Sequence, residues 1–189
     1  MTEFLIVLGV VVVLPGIWVI WSYNRYVTQV ASIDASWSGI DVELQRRHDL
    51  VDNLVRTVAA YTDHERTTLE AVTRARARAV EAVGEETPLA EQARAEDALT
   101  DGLTRLLAIS EDMPDLKADR AFRELQTQLV ETEDRISASR RLYNLEVAAY
   151  ERRRKAVPSN LVAWLFSFGE RELFEIRDAG AQHAAQVHW

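Results

Sequence analysis

A heptad repeat of apolar residues runs through residues 33–61, and it constrains the fold more than any other feature of this 189-residue chain. Its spacings alternate between four and three residues, and Arg47 is its polar member. The repeat consists of Ile33, Trp37, Ile40, Leu44, Arg47, Val51, Leu54, Val58 and Tyr61. This spacing is typical of a helix that packs along its length against other helices. We therefore predict that the first helix is one member of a helical bundle.

The rest of the chain also predicts helices, so the expected fold class is all-α. Glycine and proline are scarce, with 7 and 4 residues, and apolar periodicity predicts further helices at 63–83, 89–111 and 116–156. Short loops between successive helices favour an up-and-down, antiparallel four-helix bundle, which we assign to residues 25–157. The first and fourth helices are the long ones, at roughly 60 Å against about 35 Å for the other two.

Residues 1–24 predict a transmembrane anchor whose helix continues directly into the bundle. No charged residue occurs between Phe4 and Asn24, and about 20 apolar residues are enough to span a bilayer. A cleavable signal peptide is the alternative, but Glu3 precedes the stretch where a signal peptide carries Lys or Arg. Arg25 after the span predicts a single-pass protein with the bulk of the chain in the cytoplasm.

The lengths of the predicted helices leave the membrane-proximal half of the bundle with only two of them. Apolar side chains there, represented by Ile33, Trp37, Val147 and Tyr150, should then be partly exposed to water. We expect other copies of the chain to cover these four residues, which predicts a homo-oligomer.

A membrane-proximal segment is predicted at 158–178, and a flexible tail at 179–189. A basic cluster just before the segment attracts anionic lipid, and an aromatic helix can insert beside it. The residues are Arg152, Arg153, Arg154, Lys155, Trp164, Phe166 and Phe168. The alternative is that the aromatic residues only cap the bundle and the basic residues form a solvated last helical turn.

Six polar residues fall on the predicted inner faces of the first and fourth helices. They are Asp41, Arg47, Thr132, Glu133, Arg140 and Asn144. Because a buried charge is costly unless it is paired, we expect a hydrogen-bonded network that fixes helix register. The alternative is that these residues line a groove for a ligand or a peptide.

Several classes of function are disfavoured by the sequence. Cysteine is absent, and none of the four histidines follows a Glu by three residues, so the Glu-x-x-His pairs of di-metal bundles are missing. No glycine-rich phosphate loop is present. The net charge of −8 argues against nucleic acid as a partner. We expect no catalytic, cofactor-binding or metal-binding residues, no cofactor and no enzymatic activity.

The stretch Trp37-Ser-Gly-Ile-Asp-Val-Glu-Leu-Gln-Arg-Arg-His-Asp-Leu-Val-Asp-Asn-Leu54 resembles the signature of the LemA family. Matching segments follow at 61–65, 132–136, 140–144 and 157–161, and the resemblance covers about 25–175. His48 stands where the family commonly has Tyr or another bulky residue. The resemblance implies a single-span protein of the bacterial inner membrane with a cytoplasmic four-helix bundle, and it supplies no enzymatic activity.

Two functions follow as hypotheses. The first is a membrane-anchored, self-assembling helical scaffold that organises or shapes the bacterial inner membrane. Its expected partners are other copies of the chain and the lipid bilayer, anionic lipid included. The second is a membrane-tethered adaptor or sensor that binds another membrane protein in envelope stress.

Overall fold

Six helices form the part of the chain that the computed structural model describes, which comprises residues 2–62, 65–83 and 87–176, without the side chains of 3–11. They are α1 (Thr2–Ala59), α2 (Arg66–Ala82), α3 (Leu89–Ser110), α4 (Pro114–Ala118), α5 (Arg120–Lys155) and α6 (Ser159–Leu165). Every regular element in these ranges is a helix, so the all-α fold class is confirmed. The four-helix arrangement as a whole stays a prediction, and the predicted tail at 179–189 lies outside the described residues.

Helix α1 runs without a break through 58 residues, which confirms that the N-terminal helix continues into the rest of the fold. Its heptad positions face inward: Ile40, Leu44, Val51 and Val58 are all buried. Tyr61 lies beyond the end of the helix and is 43% exposed.

No helix among the described residues has the length and apolar character that crossing a membrane requires. The predicted span at 1–24 includes residue 1 and the side chains of 3–11, which lie outside the described residues.

The chain divides into two compact units. The first unit contains the residues up to 36 together with 142–173, and the second contains 37–141 together with the residues from 174 onward. Helices α1 and α5 therefore contribute to both units, whereas α2, α3 and α4 belong wholly to the second and α6 to the first.

The core of the second unit gathers apolar side chains from five helices. The buried members are Leu50, Val51, Leu54 and Val58 of α1, Leu69, Val72 and Ala79 of α2, Leu99, Leu103 and Leu106 of α3, Leu116 of α4, and Phe122 and Leu129 of α5. Burial of such side chains contributes roughly 1.5–3 kcal/mol each before the entropy of ordering them is counted.

Helices α1 and α5 run antiparallel within the second unit. Glu43 of α1 pairs with Arg135 of α5 at 3.9 Å, and Arg47 lies 3.0 Å from Glu133. Farther on, the Tyr61 hydroxyl donates to Asp119 at 2.6 Å. Partner numbers on α5 fall as residue numbers on α1 rise, which is the pattern of an antiparallel pair.

Asp119 divides the predicted helix at 116–156 into α4 and α5. Its Oδ1 accepts hydrogen bonds from the backbone N–H groups of Ala121 at 2.6 Å and Phe122 at 3.0 Å. These are N-H groups that the start of a helix leaves without a partner, so Asp119 acts as the N-cap of α5. The prediction of one unbroken helix from 116 was therefore wrong at its beginning.

In the first unit, the non-helical segment after α6 packs back along α1 and α5. The Tyr150 hydroxyl donates to the Gly169 carbonyl at 2.6 Å, and Tyr143 donates to the Glu172 carbonyl at 3.0 Å. The Phe168 ring stacks on Tyr26 with centroids 4.7 Å apart. This segment supplies the cover that a pair of long helices lacks.

Candidate functional site

The second unit contains a buried polar cluster that joins α1, α3 and α5. Arg47 and His48 of α1 are 1% and 0% exposed, and Glu96 of α3 is 2% exposed. Thr100 of α3 and Glu133 of α5 complete the set. Charged groups are rarely buried unless they are paired, so these contacts fix how the three helices meet.

Arg47 is bound from two sides. Its Nη1 lies 3.3 Å from Glu96 Oε2, and its Nη2 donates to the Thr100 hydroxyl at 2.5 Å. Its Nε is 3.0 Å from Glu133 Oε1, at an angle that makes this an ion-pair contact rather than an aligned hydrogen bond. The guanidinium therefore has a carboxylate from α3 and another from α5.

His48 shares the Glu96 carboxylate with Arg47. Its Nε2 lies 2.8 Å from Glu96 Oε1, while its Nδ1 is buried and has no hydrogen-bond partner within the described part of the chain. The backbone carbonyl of His48 accepts a hydrogen bond from Arg76 Nε at 2.7 Å, which adds α2 to the connection.

The centre of the cluster is closed to solvent, whereas Glu133 at its edge is 29% exposed. Arg47, His48 and Glu96 expose almost no surface, so they cannot contact a ligand or peptide in a surface groove. Within the described ranges, no group of three or more His, Asp or Glu side chains is arranged to hold a metal ion. The geometry suits a structural link between helices.

Of the six polar residues predicted as a network, the structure brings Arg47 and Glu133 together. Thr132 is buried, but its hydroxyl donates to the Gln128 carbonyl of its own helix at 2.7 Å. Arg140 donates through Nη1 to the Ile176 carbonyl.

Asp41 and Asn144, the other two residues of the predicted network, are both half-buried. Asn144 belongs to the first unit, whereas the cluster belongs to the second.

His48, Glu96 and Thr100 are the cluster members that the predicted network did not contain. A signal was present, because Glu96 precedes Leu99, Leu103 and Leu106 at spacings of three, four and three. Glu96 is therefore a polar residue in the apolar repeat of α3, as Arg47 is in that of α1. Two opposite charges at such positions on neighbouring helices predict a buried pair.

The first unit exposes an apolar patch at α6, which we define as Val157, Leu161, Trp164, Leu165 and Phe166. Their exposed fractions range from 44% for Phe166 to 81% for Val157. Trp164 is 80% exposed. Contiguous apolar surface of this kind marks an interaction site on a protein or a membrane.

The other predicted aromatic residues of this region pack partly inward. Phe166 lies against Tyr23 at a centroid distance of 4.8 Å, and Phe168 is half-buried on Tyr26. Trp164 is exposed, as insertion into a membrane requires, whereas Phe168 packs on Tyr26, as the alternative of a cap on the bundle requires. Each of the two interpretations therefore fits some of these residues.

The predicted basic cluster separates into side chains with and without a carboxylate partner among the residues that the structure describes. Arg154 contacts Glu151 at 2.9 Å and Glu170 at 3.4 Å, and Lys155 contacts Glu151 at 3.6 Å. The hydrogen bond and ion pair to Glu151 raise the pKa of Arg154. Arg152 is exposed, and Arg153 is half-buried against aromatic rings.

The four residues predicted as oligomer contacts are covered within a single chain. Ile33, Val147 and Tyr150 are each 1% exposed in the first unit. Trp37, in the second unit, is half-buried and packs edge-on against the fully buried Phe174 at 5.0 Å. For Ile33, Val147 and Tyr150 the exposure that suggested an oligomer is therefore absent. Tyr150 and Trp37 contact non-helical residues after α6. Self-association stays a prediction.

A family model described as LemA family matches residues 36–189. The match takes in the whole of the second unit and also α6 of the first.

Three curated proteins are similar over most of the chain. Magnetosome proteins MamQ 1 and MamQ 2 of Paramagnetospirillum magneticum are each 26% identical over 181 residues, and magnetosome protein MamQ of Magnetospirillum gryphiswaldense is 28% identical. The alignments cover 84% of this chain and 66% of each relative. The chain thus spans just under two thirds of the length of these proteins.

Proposed function

We propose, from the premise that this chain belongs to the LemA family, that it is a membrane-anchored, self-assembling helical scaffold of the bacterial inner membrane. In this role it organises or shapes the membrane through copies of itself. Family membership and the magnetosome relatives support a membrane-associated helical protein. The anchor at 1–24, the single pass and the cytoplasmic placement of the bulk of the chain are parts of the proposal.

The observation that carries the proposal is the exposed α6 patch. Exposing five apolar side chains to water is unfavourable in free energy, whereas Trp, Phe and Leu side chains bind favourably to the interface of a bilayer. Residues 12–36 belong to the same unit as the patch, and Ile17, Ile20 and Trp21 are also more than half exposed. Membrane contact would remove all of this apolar surface from water.

We propose also that α1, α2, α3 and α5 form the up-and-down four-helix bundle. Support comes from the shared core of the second unit and from the antiparallel contacts of α1 with α5. The link from Arg47 to Glu96 ties α1 to α3 in the same unit.

Fluorescence quenching tests the membrane contact of α6. The full chain is reconstituted into vesicles that contain brominated lipid, and the quenched fraction of tryptophan emission is compared with that of Trp164→Phe. Trp37→Phe is the matched control, because Trp37 is half-buried against Phe174. We expect Trp164→Phe to lose a large share of the quenched emission and Trp37→Phe to lose little. Equal losses would contradict the proposal.

Self-assembly is tested separately by mass photometry of the full chain extracted in mild detergent. A scaffold predicts large assemblies of defined size. A population of monomers would refute the scaffold and leave the adaptor or sensor hypothesis, in which the partner is another membrane protein. The proposal includes that the protein has no enzymatic activity, because the buried Arg47, His48 and Glu96 side chains are not accessible to a substrate.

A further inference from the structure

Two arginines in the first unit converge on one tryptophan ring. The guanidinium carbon of Arg25 lies 5.7 Å from the centroid of the Trp21 ring, and that of Arg153 also lies 5.7 Å from it. Arg153 is in addition 5.6 Å from the Tyr26 ring. Arg25 belongs to α1 and Arg153 to the end of α5, so the fold brings these charges together from distant parts of the sequence.

Neither guanidinium has a carboxylate partner among the described residues. Arg153 Nη1 is buried there without a hydrogen-bond partner. Burial, followed by repulsion from Arg25, lowers the pKa of Arg153. The next two basic residues of α5 differ, since Glu151 pairs with both of them. A buried donor and two like charges are an unfavourable arrangement that a bound anion would relieve.

A shallow, open cleft of about 390 Å³ lies along one face of α1; Arg25 is part of its lining, and Arg153 reaches the same Trp21 ring from α5. Its lining is Trp21, Asn24, Arg25, Thr28 and Gln29. The volume is within the range of small-molecule sites, and the lining offers both guanidinium and amide groups for a hydrated oxyanion.

We infer that this cleft binds the phosphate of an anionic phospholipid headgroup. Arginine suits phosphate because its planar donors match the oxygen atoms of the group. The cleft begins at Trp21, next to the end of the proposed anchor, and the exposed α6 patch belongs to the same unit. The inference rests on the proposed membrane attachment, and it adds a preference for anionic over zwitterionic lipid.

Native mass spectrometry of the full chain in mild detergent tests this preference. The protein is titrated with phosphatidylglycerol and, separately, with phosphatidylcholine, and bound lipid is counted. We expect phosphatidylglycerol to bind about thirtyfold more tightly, the factor for two arginines near an anionic group. The double variant R25Q/R153Q should lose that factor.

The matched control is R154Q/K155Q, which removes the same charge from side chains that are paired with Glu151 and Glu170. It should stay within about threefold of the wild type. Arg25 is exposed, so R25Q alone keeps the test valid if the double variant does not fold, and it should lose about fivefold. An equal loss in R154Q/K155Q would show a net-charge effect and overturn the inference.

Two further measurements separate the sources of failure. Displacement of phosphatidylglycerol by millimolar inorganic phosphate would assign the cleft to a soluble anion and overturn the lipid assignment. Flotation with phosphatidylcholine vesicles reports membrane attachment independently. If the chain floats but shows no preference for phosphatidylglycerol, this inference alone fails, whereas a chain that does not float contradicts the proposed function.

Discussion

Removing one partner of the buried pair between Arg47 and Glu96 should destabilise the protein more than removing both. In Glu96→Leu, Arg47 keeps the Thr100 hydroxyl and a single carboxylate, that of the 29% exposed Glu133, and His48 Nε2 loses its partner. Breaking a buried pair in this way costs about 3–5 kcal/mol. Arg47→Met should cost a similar amount, because it leaves the Glu96 carboxylate buried beside His48 alone.

The double variant Arg47→Met/Glu96→Leu removes both charges of the pair and fills the space with apolar groups. His48 Nε2 loses its Glu96 partner in this variant as it does in Glu96→Leu. Replacing a whole buried ion pair in this way is often neutral or stabilising. Thr100 stays satisfied, since its hydroxyl also donates to the Glu96 backbone carbonyl at 3.0 Å. We therefore expect the double variant to be more stable than either single variant by about 2 kcal/mol or more.

Thermal unfolding of the full chain in mild detergent, followed by circular dichroism at one pH, measures this cycle. For a chain of this length, each kcal/mol shifts the Tm by about 2–4 °C. Each single variant should melt about 10 °C below the wild type, and the double variant should recover most of that loss. Losses that simply add in the double variant would refute the coupling of the two side chains.

Three other predictions follow from single residues. Asp119→Ala should lower the Tm by a few degrees at neutral pH, because the variant loses the N-cap of α5. The hydrogen bonds from the Tyr61 hydroxyl and the Phe122 N–H lower the pKa of Asp119, so the stabilisation that its carboxylate gives is lost as the pH falls through that pKa, below about 4. A Tm difference that stays constant down to pH 2 would contradict this. Phe174→Ala should lower the free energy of unfolding by about 3–5 kcal/mol, because the Phe174 side chain is fully buried. Leu173→Ala should lower it little, because Leu173 is exposed, and equal losses in thermal unfolding would refute this difference in packing. Ser167 has a positive φ of 57°, a backbone conformation that glycine adopts at lower cost than serine. Ser167→Gly should therefore raise the Tm by about 2–4 °C, and a lower Tm would contradict the left-handed conformation of this residue.

The helical content could be predicted from the sequence because apolar periodicity reports directly on which side of a helix is buried. The repeat from Ile33 to Val58 is one example, since all but one of these positions are buried and Trp37 is half-buried. The two boundaries of α3 were predicted within one residue for the same reason. Asp119 was missed as a cap, although a polar residue at the start of a helix is a known N-terminal signal.

The cover over α1 and α5 could not be predicted in this way. The residues after α6 form no helix, so they carry no period that would reveal the surface they occupy. Two of their contacts are made by the backbone carbonyls of Gly169 and Glu172, and every residue offers an equivalent carbonyl. Without that cover, Val147 and Tyr150 looked like surfaces for another copy of the chain.

The candidate site was predictable in part. Arg47 could be identified as a charge in an apolar repeat. Its partner Glu96 belongs to α3, for which only the apolar side was predicted. Which pairs form depends on the distance between helices, and the sequence of one chain does not supply that distance.

Electron microscopy of the full-length protein, reconstituted in lipid nanodiscs or extracted in detergent, tests the scaffold most directly. It reports assembly, symmetry and membrane contact in one measurement. We predict ordered assemblies of many copies, with Trp164 and the rest of the α6 patch within the lipid or detergent layer. Isolated single chains whose α6 patch points into water would contradict both the self-assembly and the membrane contact.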